Sequence, residues 1–146
     1  MSVSLGDLTP NNIKQLKVLN SVIFPEKKFE ESYYKDCLEK LEWSQLGFFN
    51  DVNVGGISYI EEEIPENKDQ LRVNIKTLGV LPAYRRLGVA SELLKYVFDN
   101  CKENEKIKEI YVQIQQSNES AINLFKKNNF EVKEKDQDAI ILIKNL

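Results

Sequence analysis

The sequence predicts one mixed α/β domain, and three observations carry that prediction. Residues 71–80 and 109–114 alternate apolar and polar side chains as strands do, and residues 88–102 and 118–128 repeat apolar positions at helical spacing. A length of 146 residues fits a single domain, 1–146, that buries roughly two-thirds of its unfolded surface. The expected order is β-α-α-β-β-β-α-β-α-β-β, with no repeat, linker or low-complexity segment.

Residues 2–8 read as a short strand, after which Thr9 and Pro10 read as the cap and first residue of a helix carrying Ile13, Leu16 and Leu19 on one face. Phe24-Pro25 breaks that helix. A second helix is expected over residues 30–41, where Tyr33, Tyr34, Cys37, Leu38 and Leu41 recur at helical spacing. Residues 46–49 and 52–60, rich in aromatic and β-branched side chains, flank the turn pair Asn50-Asp51 and predict a hairpin. Residues 61–69, charged and holding Pro65, read as a connection. A strand (71–80), a helix (88–102), a strand (109–114), a helix (118–128) and two closing strands (131–135 and 139–143) complete the chain. The strand-helix-strand unit over residues 71–114 predicts a right-handed parallel crossover, where the chemistry is expected.

Composition narrows the function classes. The net charge is −3, and 20 basic residues are interspersed with 23 acidic ones rather than gathered in a stripe, which argues against direct nucleic-acid binding. Cys37 and Cys101 stand far apart in helix-like segments, so a disulfide framework or zinc site is not expected and a reducing compartment, the cytoplasm, is. No stretch approaches the ~20 apolar residues of a membrane span, and the N-terminus lacks a signal core. Histidine is absent, which removes Ser-His and Cys-His triads, histidine-ligated metals and a histidine base; no metal is expected.

The most informative run is Thr77-Leu-Gly-Val-Leu-Pro-Ala-Tyr-Arg-Arg-Leu-Gly-Val-Ala-Ser91. Arg85, Arg86, Leu87, Gly88, Val89 and Ala90 fall where a strand has ended and a helix begins, so the first helical N–H groups lack intrahelical acceptors. The helix end adds about half a positive charge, Gly88 and Ala90 admit an anion close to the backbone, and the two arginines can add ionic contacts. Taken alone, these six residues read more readily as a glycine-containing helix start with surface arginines. The preceding Leu78-Gly79-Val80 and the following amphipathic segment with Leu93, Leu94, Val97 and Phe98 favour the anion site. In that setting Arg-x-x-Gly-x-Ala resembles the pyrophosphate loop of the GNAT acyltransferases, whose cofactor is acetyl-CoA.

Further blocks narrow the resemblance: Asn11-Asn-Ile-Lys-Gln-Leu-Lys17, Val22-Ile-Phe-Pro25, Tyr34-Lys-Asp36, Thr77-Leu-Gly79, Tyr84-Arg-Arg-Leu-Gly88 and Ser117-Asn-Glu-Ser-Ala-Ile122. Together they are similar to the NatE-type N-alpha-acetyltransferases, the "separation anxiety" group, over nearly all the chain up to Phe130. The resemblance implies the GNAT fold, a mixed central sheet with a β-α-β CoA-binding core. It implies acetyl-CoA contacts from Leu78, Gly79, Val80, Arg85, Arg86, Leu87, Gly88, Val89, Ala90 and Ser91, and from residues 118–127 through Asn118, Ser120 and Phe125. Asn118 reads equally as a helix N-cap, and both roles are compatible. Phe24 and Pro25 match a pocket for the first substrate residues, while Phe29 reads either as a second aromatic of that pocket or as packing beneath the first helices.

Asn74 and Lys76 alternate with Val73 and Ile75, and Gln113 and Gln115 with Val112 and Ile114, so one face of each strand is wet. These side chains read either as solvent-facing or, by resemblance, as lining the cleft that holds acyl group and amine. The family pattern has a tyrosine at the position of Asn74, a histidine at that of Gln113 and a tyrosine at that of Phe125; this chain has none of those groups. A positioned base contributes about 10²- to 10⁴-fold, whereas orientation supplies about 7–11 kcal/mol, so its loss slows transfer without abolishing it. An N-terminal amine titrates near ~7.7–8.0, which leaves a minority neutral at pH 7. A charged Lys76 facing the cleft disfavours a cationic amine. Residues 132–139 are also too short for the family's tyrosine-bearing loop over the peptide. Two functions lead, an acetyltransferase acting on protein N-termini, methionine followed by an apolar residue, and a non-catalytic CoA-binding subunit; a different acyl acceptor, a small amine or a lysine side chain, is a third. The resemblance implies association with the NatA scaffold and catalytic subunits on the ribosome in either case.

Overall fold

Among the described residues, 2–146 in this computed structural model, seven strands and four helices follow one another. They are β1 (Val3–Asp7), α1 (Ile13–Ile23), α2 (Glu31–Glu39), β2 (Ser44–Phe49), β3 (Val52–Ile64), β4 (Asn67–Val80), α3 (Val89–Lys102), β5 (Ile107–Gln115), α4 (Glu119–Lys127), β6 (Glu131–Lys135) and β7 (Ala139–Asn145). The strands form one mixed sheet in the order β1-β2-β3-β4-β5-β7-β6. β4 and β5 run parallel, and the pairs β1–β2, β2–β3, β5–β7 and β6–β7 run antiparallel. The expected element order is therefore the observed one.

Local chemistry explains where the boundaries differ from expectation. Thr9 and Pro10 do not start α1. Asn12 instead accepts the Thr9 N–H at 2.7 Å through Oδ1 and donates to the Asp7 carbonyl, which holds residues 9–12 as a turn, and the helix starts at Ile13. The second helix stops at Glu39 and is followed by a single 3-10 turn, Leu41–Trp43. Asn50 and Asp51 make the hairpin turn with φ of 48° and 68°, left-handed values that asparagine and aspartate tolerate. The charged segment 61–69 is not a loop: β3 continues to Ile64, β4 starts at Asn67, and only Pro65-Glu66 turns. Its glutamates hide the strand pattern because Glu62 is matched by an arginine rather than by water alone.

The chain forms two compact units. One runs to Tyr59 and takes up Thr77–Cys101; the other comprises Ile60–Lys76 and Lys102–Leu146. In the first, Leu8, Ile13, Leu16, Leu19, Tyr34, Cys37 and Leu46 form a buried cluster, and Val89, Leu93, Leu94 and Val97 line the buried stripe of α3. In the second, Ile110, Val112, Phe125, Phe130, Ile140 and Leu142 are buried. Truncating such a leucine or phenylalanine to alanine costs about 2–5 kcal/mol. No helix among the described residues is long and apolar enough to cross a membrane.

Candidate functional site

The loop between β4 and α3 places two residues in the left-handed region just ahead of a helix start. Arg86 has φ +64° and Gly88 φ +93°, with Leu87 between them outside the left-handed region. Alternation of that kind turns successive amides toward a common point. A Cβ placed on Gly88 would meet nothing within 4 Å, so the space beside Gly88 is open. The first bond of the helical ladder is the Glu92 N–H to the Gly88 carbonyl at 3.1 Å, leaving the amides of residues 88–91 ahead of it. Arg85 Nε donates to the Val80 carbonyl at 3.0 Å and ties the loop back to the end of β4. Arg85, Arg86, Leu87 and Ser91 are exposed and Leu78 and Ala90 half-buried, whereas the side chains of Val80 and Val89 are core, which leaves them their backbone as a binding group. These residues fit a pyrophosphate.

The end of β4 meets an aromatic wall. A Cβ on Gly79 would lie 2.7 Å from Ile23 Cγ2 and 3.4 Å from Phe24, so only glycine allows that approach. Phe24 packs edge-on to Phe29 at 6.0 Å between ring centroids, and Phe29 lies 5.2 Å from Tyr33. Phe29 is thus part of the packing beside the first helices, and with Phe24 it stays half-exposed; Pro25 is exposed. Behind the wall, the Tyr33 hydroxyl bonds Ser58 Oγ and, at 3.3 Å, Thr77 Oγ1, and Ser58 and Thr77 join at 2.7 Å. Burial, then the neighbouring Cys37, holds the Tyr33 phenol well above the usual range, so it remains a neutral hydrogen-bonding group.

In the second unit, the wet faces are as expected. Arg72, Asn74 and Lys76 lie on the side of β4 opposite buried Val73 and Ile75, and Tyr111, Gln113 and Gln115 on the side of β5 opposite Ile110, Val112 and Ile114. The parallel pairing runs from Leu71↔Ile107 to Asn74↔Tyr111 and Ile75↔Val112, and both strands continue beyond its last pair. Asn74 is half-buried, while Lys76 and Gln113 are exposed. Asn118 caps α4, its Oδ1 accepting the Ala121 N–H at 3.2 Å, and Ser120 is exposed in the first turn. Phe125 is 2% exposed and stacks edge-on against Phe130 at 5.0 Å, so its ring is accounted for by packing. Among the described residues no group of three or more His, Cys, Asp or Glu is arranged to hold a metal.

Residues 13–130 match the acetyltransferase (GNAT) family. The chain belongs to that family. It is 43% identical to the N-alpha-acetyltransferase 50 of Danio rerio over 130 residues, covering 89% of this chain and 75% of the relative. Identity to the probable N-acetyltransferase san of Drosophila melanogaster is 37% over 131 residues, covering 90% and 69%. The solved structure of Arabidopsis thaliana Naa50 in complex with the bisubstrate analogue CoA-Ac-MVNAL is 35% identical, matches all of both chains, and superposes with a TM-score of 0.87. The resemblance to the NatE-type N-alpha-acetyltransferases, the "separation anxiety" group, read from the sequence is borne out.

Two clusters in this GNAT domain escape a motif-based reading. The Tyr33–Ser58–Thr77 hydroxyl group is assembled from α2, β3 and β4, a juxtaposition no local pattern signals. The second joins Glu62, Arg72 and Tyr111: Arg72 Nε bonds Glu62 Oε1 at 2.7 Å, and the Tyr111 hydroxyl donates to the same oxygen at 2.5 Å. A signal for it was present, since stepping back two residues from Asn74 and from Gln113 lands on Arg72 and Tyr111, on the same faces.

Proposed function

We propose that the chain transfers the acetyl group of acetyl-CoA to the α-amine of protein N-termini that start with methionine followed by an apolar residue. It does so more slowly than relatives carrying tyrosine and histidine at the positions of Asn74 and Gln113. The observation that carries the reading is the left-handed Arg86–Gly88 loop, open before Gly88, at the start of α3 in a chain of the GNAT family. The analogue bound by the Arabidopsis relative, CoA-Ac-MVNAL, supports both the cofactor and the methionine start.

Bound acetyl-CoA supplies the acetyl group as an activated thioester. The loop amides and Arg86 hold its phosphates, with Arg85 fixing the loop to Val80. Backbone N–H groups of residues 78–80 polarise the carbonyl. Phe24 and Phe29 take the first acceptor side chain, and a charged Lys76 disfavours a cationic amine. Asn74 and Gln113 orient by hydrogen bonding, but an amide does not take up a proton at neutral pH. A second reading keeps the cofactor and drops turnover, leaving an accessory subunit docked on the NatA scaffold and catalytic subunits; it is favoured by the joint presence of Asn74, Gln113 and Phe125, none of which ionises.

Calorimetry with acetyl-CoA, followed by acetylation of a Met-Leu peptide beside the Danio rerio relative, tests this. Binding in the micromolar range or tighter is expected, with turnover about 10²- to 10⁴-fold below the relative. Binding without turnover selects the accessory subunit, and no binding overturns both readings.

A further inference from the structure

We infer that the Tyr33 hydroxyl is a positioning group for the acceptor, one that locks the aromatic wall of Phe24 and Phe29 to the end of β4. This rests on the acetyl transfer proposed above and concerns how the first acceptor side chain is held against the thioester. Every residue involved belongs to one compact unit, the unit that also carries residues 78–91. A closed circuit of contacts joins them. Phe24 lies 3.4 Å from the point where a Cβ on Gly79 would stand, it meets Phe29 edge-on at 6.0 Å, and Phe29 meets Tyr33 at 5.2 Å between ring centroids. From Tyr33 the circuit returns to the strand, because its hydroxyl bonds Thr77 Oγ1 at 3.3 Å. Thr77 and Gly79 are two residues apart on β4 and so share one face. The wall is therefore held at two successive positions of that face, by packing at Gly79 and by a hydrogen bond at Thr77.

The chemistry fits positioning rather than catalysis. Tyr33, Ser58 and Thr77 each carry one hydroxyl proton, and their three contacts close a ring in which each hydroxyl donates once and accepts once. No donor is left over for a substrate. Ser58 and Thr77 are 2% and 4% exposed, whereas Phe24 and Phe29 are half-exposed, so the buried hydroxyls act on an acceptor only through the wall. The Tyr33 ring packs on Phe29 with or without its oxygen; what the oxygen adds is a directional tie to β3 and β4. That tie fixes the spacing between the wall, which takes the first acceptor side chain, and the N–H groups of residues 78–80, which polarise the carbonyl. A methionine side chain, long enough to engage the wall, depends on that spacing. Alanine, with a single methyl group, depends on it far less.

The test compares full-length wild type, Tyr33→Phe, Thr77→Val, Thr77→Ser and the Tyr33→Phe, Thr77→Val pair in acetylation of a Met-Leu and an Ala-Leu peptide. Acetyl-CoA affinity and thermal midpoint are measured on each. Tyr33→Phe is expected to raise KM for the Met-Leu peptide about 3- to 10-fold, the scale of one lost hydrogen bond, with kcat and acetyl-CoA affinity within about twofold of wild type. The preference for Met-Leu over Ala-Leu in kcat/KM falls by the same factor. Thr77→Val keeps the phenol, removes its tie to β4 and has the same effect; the paired variant is no worse than the worse single one, and Thr77→Ser, which keeps a hydroxyl, restores the wild-type KM. Thr77→Val tests the inference even should Tyr33→Phe not fold. A lower thermal midpoint with peptide KM and preference unchanged overturns the positioning role, as does a loss of acetyl-CoA affinity equal to the loss of peptide binding, the mark of a general brace. A wild type that binds acetyl-CoA and acetylates neither peptide overturns the acetyl transfer itself, and the positioning role with it.

Discussion

Gly88 combines a left-handed φ of +93° with empty space where a side chain would project. Both properties belong to a residue that lets a ligand approach backbone amides. Gly88→Ala adds a Cβ that touches no protein atom, so its effect on folding is limited to backbone strain of about 1–2 kcal/mol. On the proposed reading the effect on acetyl-CoA is larger, because the methyl adds bulk to the loop that would hold the phosphates. A modest drop in thermal midpoint is expected, with affinity weakened by about tenfold or more, equivalent to about 1.4 kcal/mol, in a calorimetric titration. Unchanged affinity in a folded variant would place the phosphates elsewhere. Arg85 illustrates a different residue-scale outcome: its Nε is engaged with the Val80 carbonyl, so part of what looked like a cation for phosphate shapes the loop.

At the scale of elements, α4 shows how local rules set a structural frame around candidate contacts. Asn118 caps its N-terminus, and Asn129, at φ 72°, ends it in a Schellman arrangement: the Phe130 N–H bonds the Phe125 carbonyl at 3.0 Å and the Asn129 N–H that of Lys126. The hydrophobic contact that accompanies this motif is the Phe125–Phe130 pair. Asn118→Ala is expected to cost about 1 kcal/mol in thermal unfolding. If the side chain serves only as a cap, acetyl-CoA affinity stays unchanged; a several-fold loss on titration assigns it the second role as well. Element order was fully legible because periods of 2 and 3.6 dominate the buried strands and helices. The long β3–β4 hairpin was not, since Glu61, Glu62 and Glu63 mask the alternation that ends in buried Ile64, and the arginine that matches Glu62 lies on another strand. The start of α1 was missed because Asn12 closes a turn backward onto Thr9 and Asp7, a competition between side-chain and helical hydrogen bonds that Thr9-Pro10 does not reveal.

For the whole molecule, the glycine loop ahead of α3 could be read from one contiguous run, because helix start, glycine and arginines are local features. The Glu62–Arg72–Tyr111 cluster could not, since its members belong to three strands and meet only through the sheet order. The same separation divides function: a chain of the GNAT family can hold its cofactor through one segment while its rate depends on side chains elsewhere. The central claim is that this chain falls short of its relatives in proton transfer and not in binding. The measurement that tests it most directly is kcat for Met-Leu peptide acetylation in the paired replacement Asn74→Tyr with Gln113→His, alongside acetyl-CoA affinity in the same protein. The account predicts a rise of about tenfold or more in kcat with affinity unchanged. A flat kcat in a folded variant that still binds acetyl-CoA would contradict it.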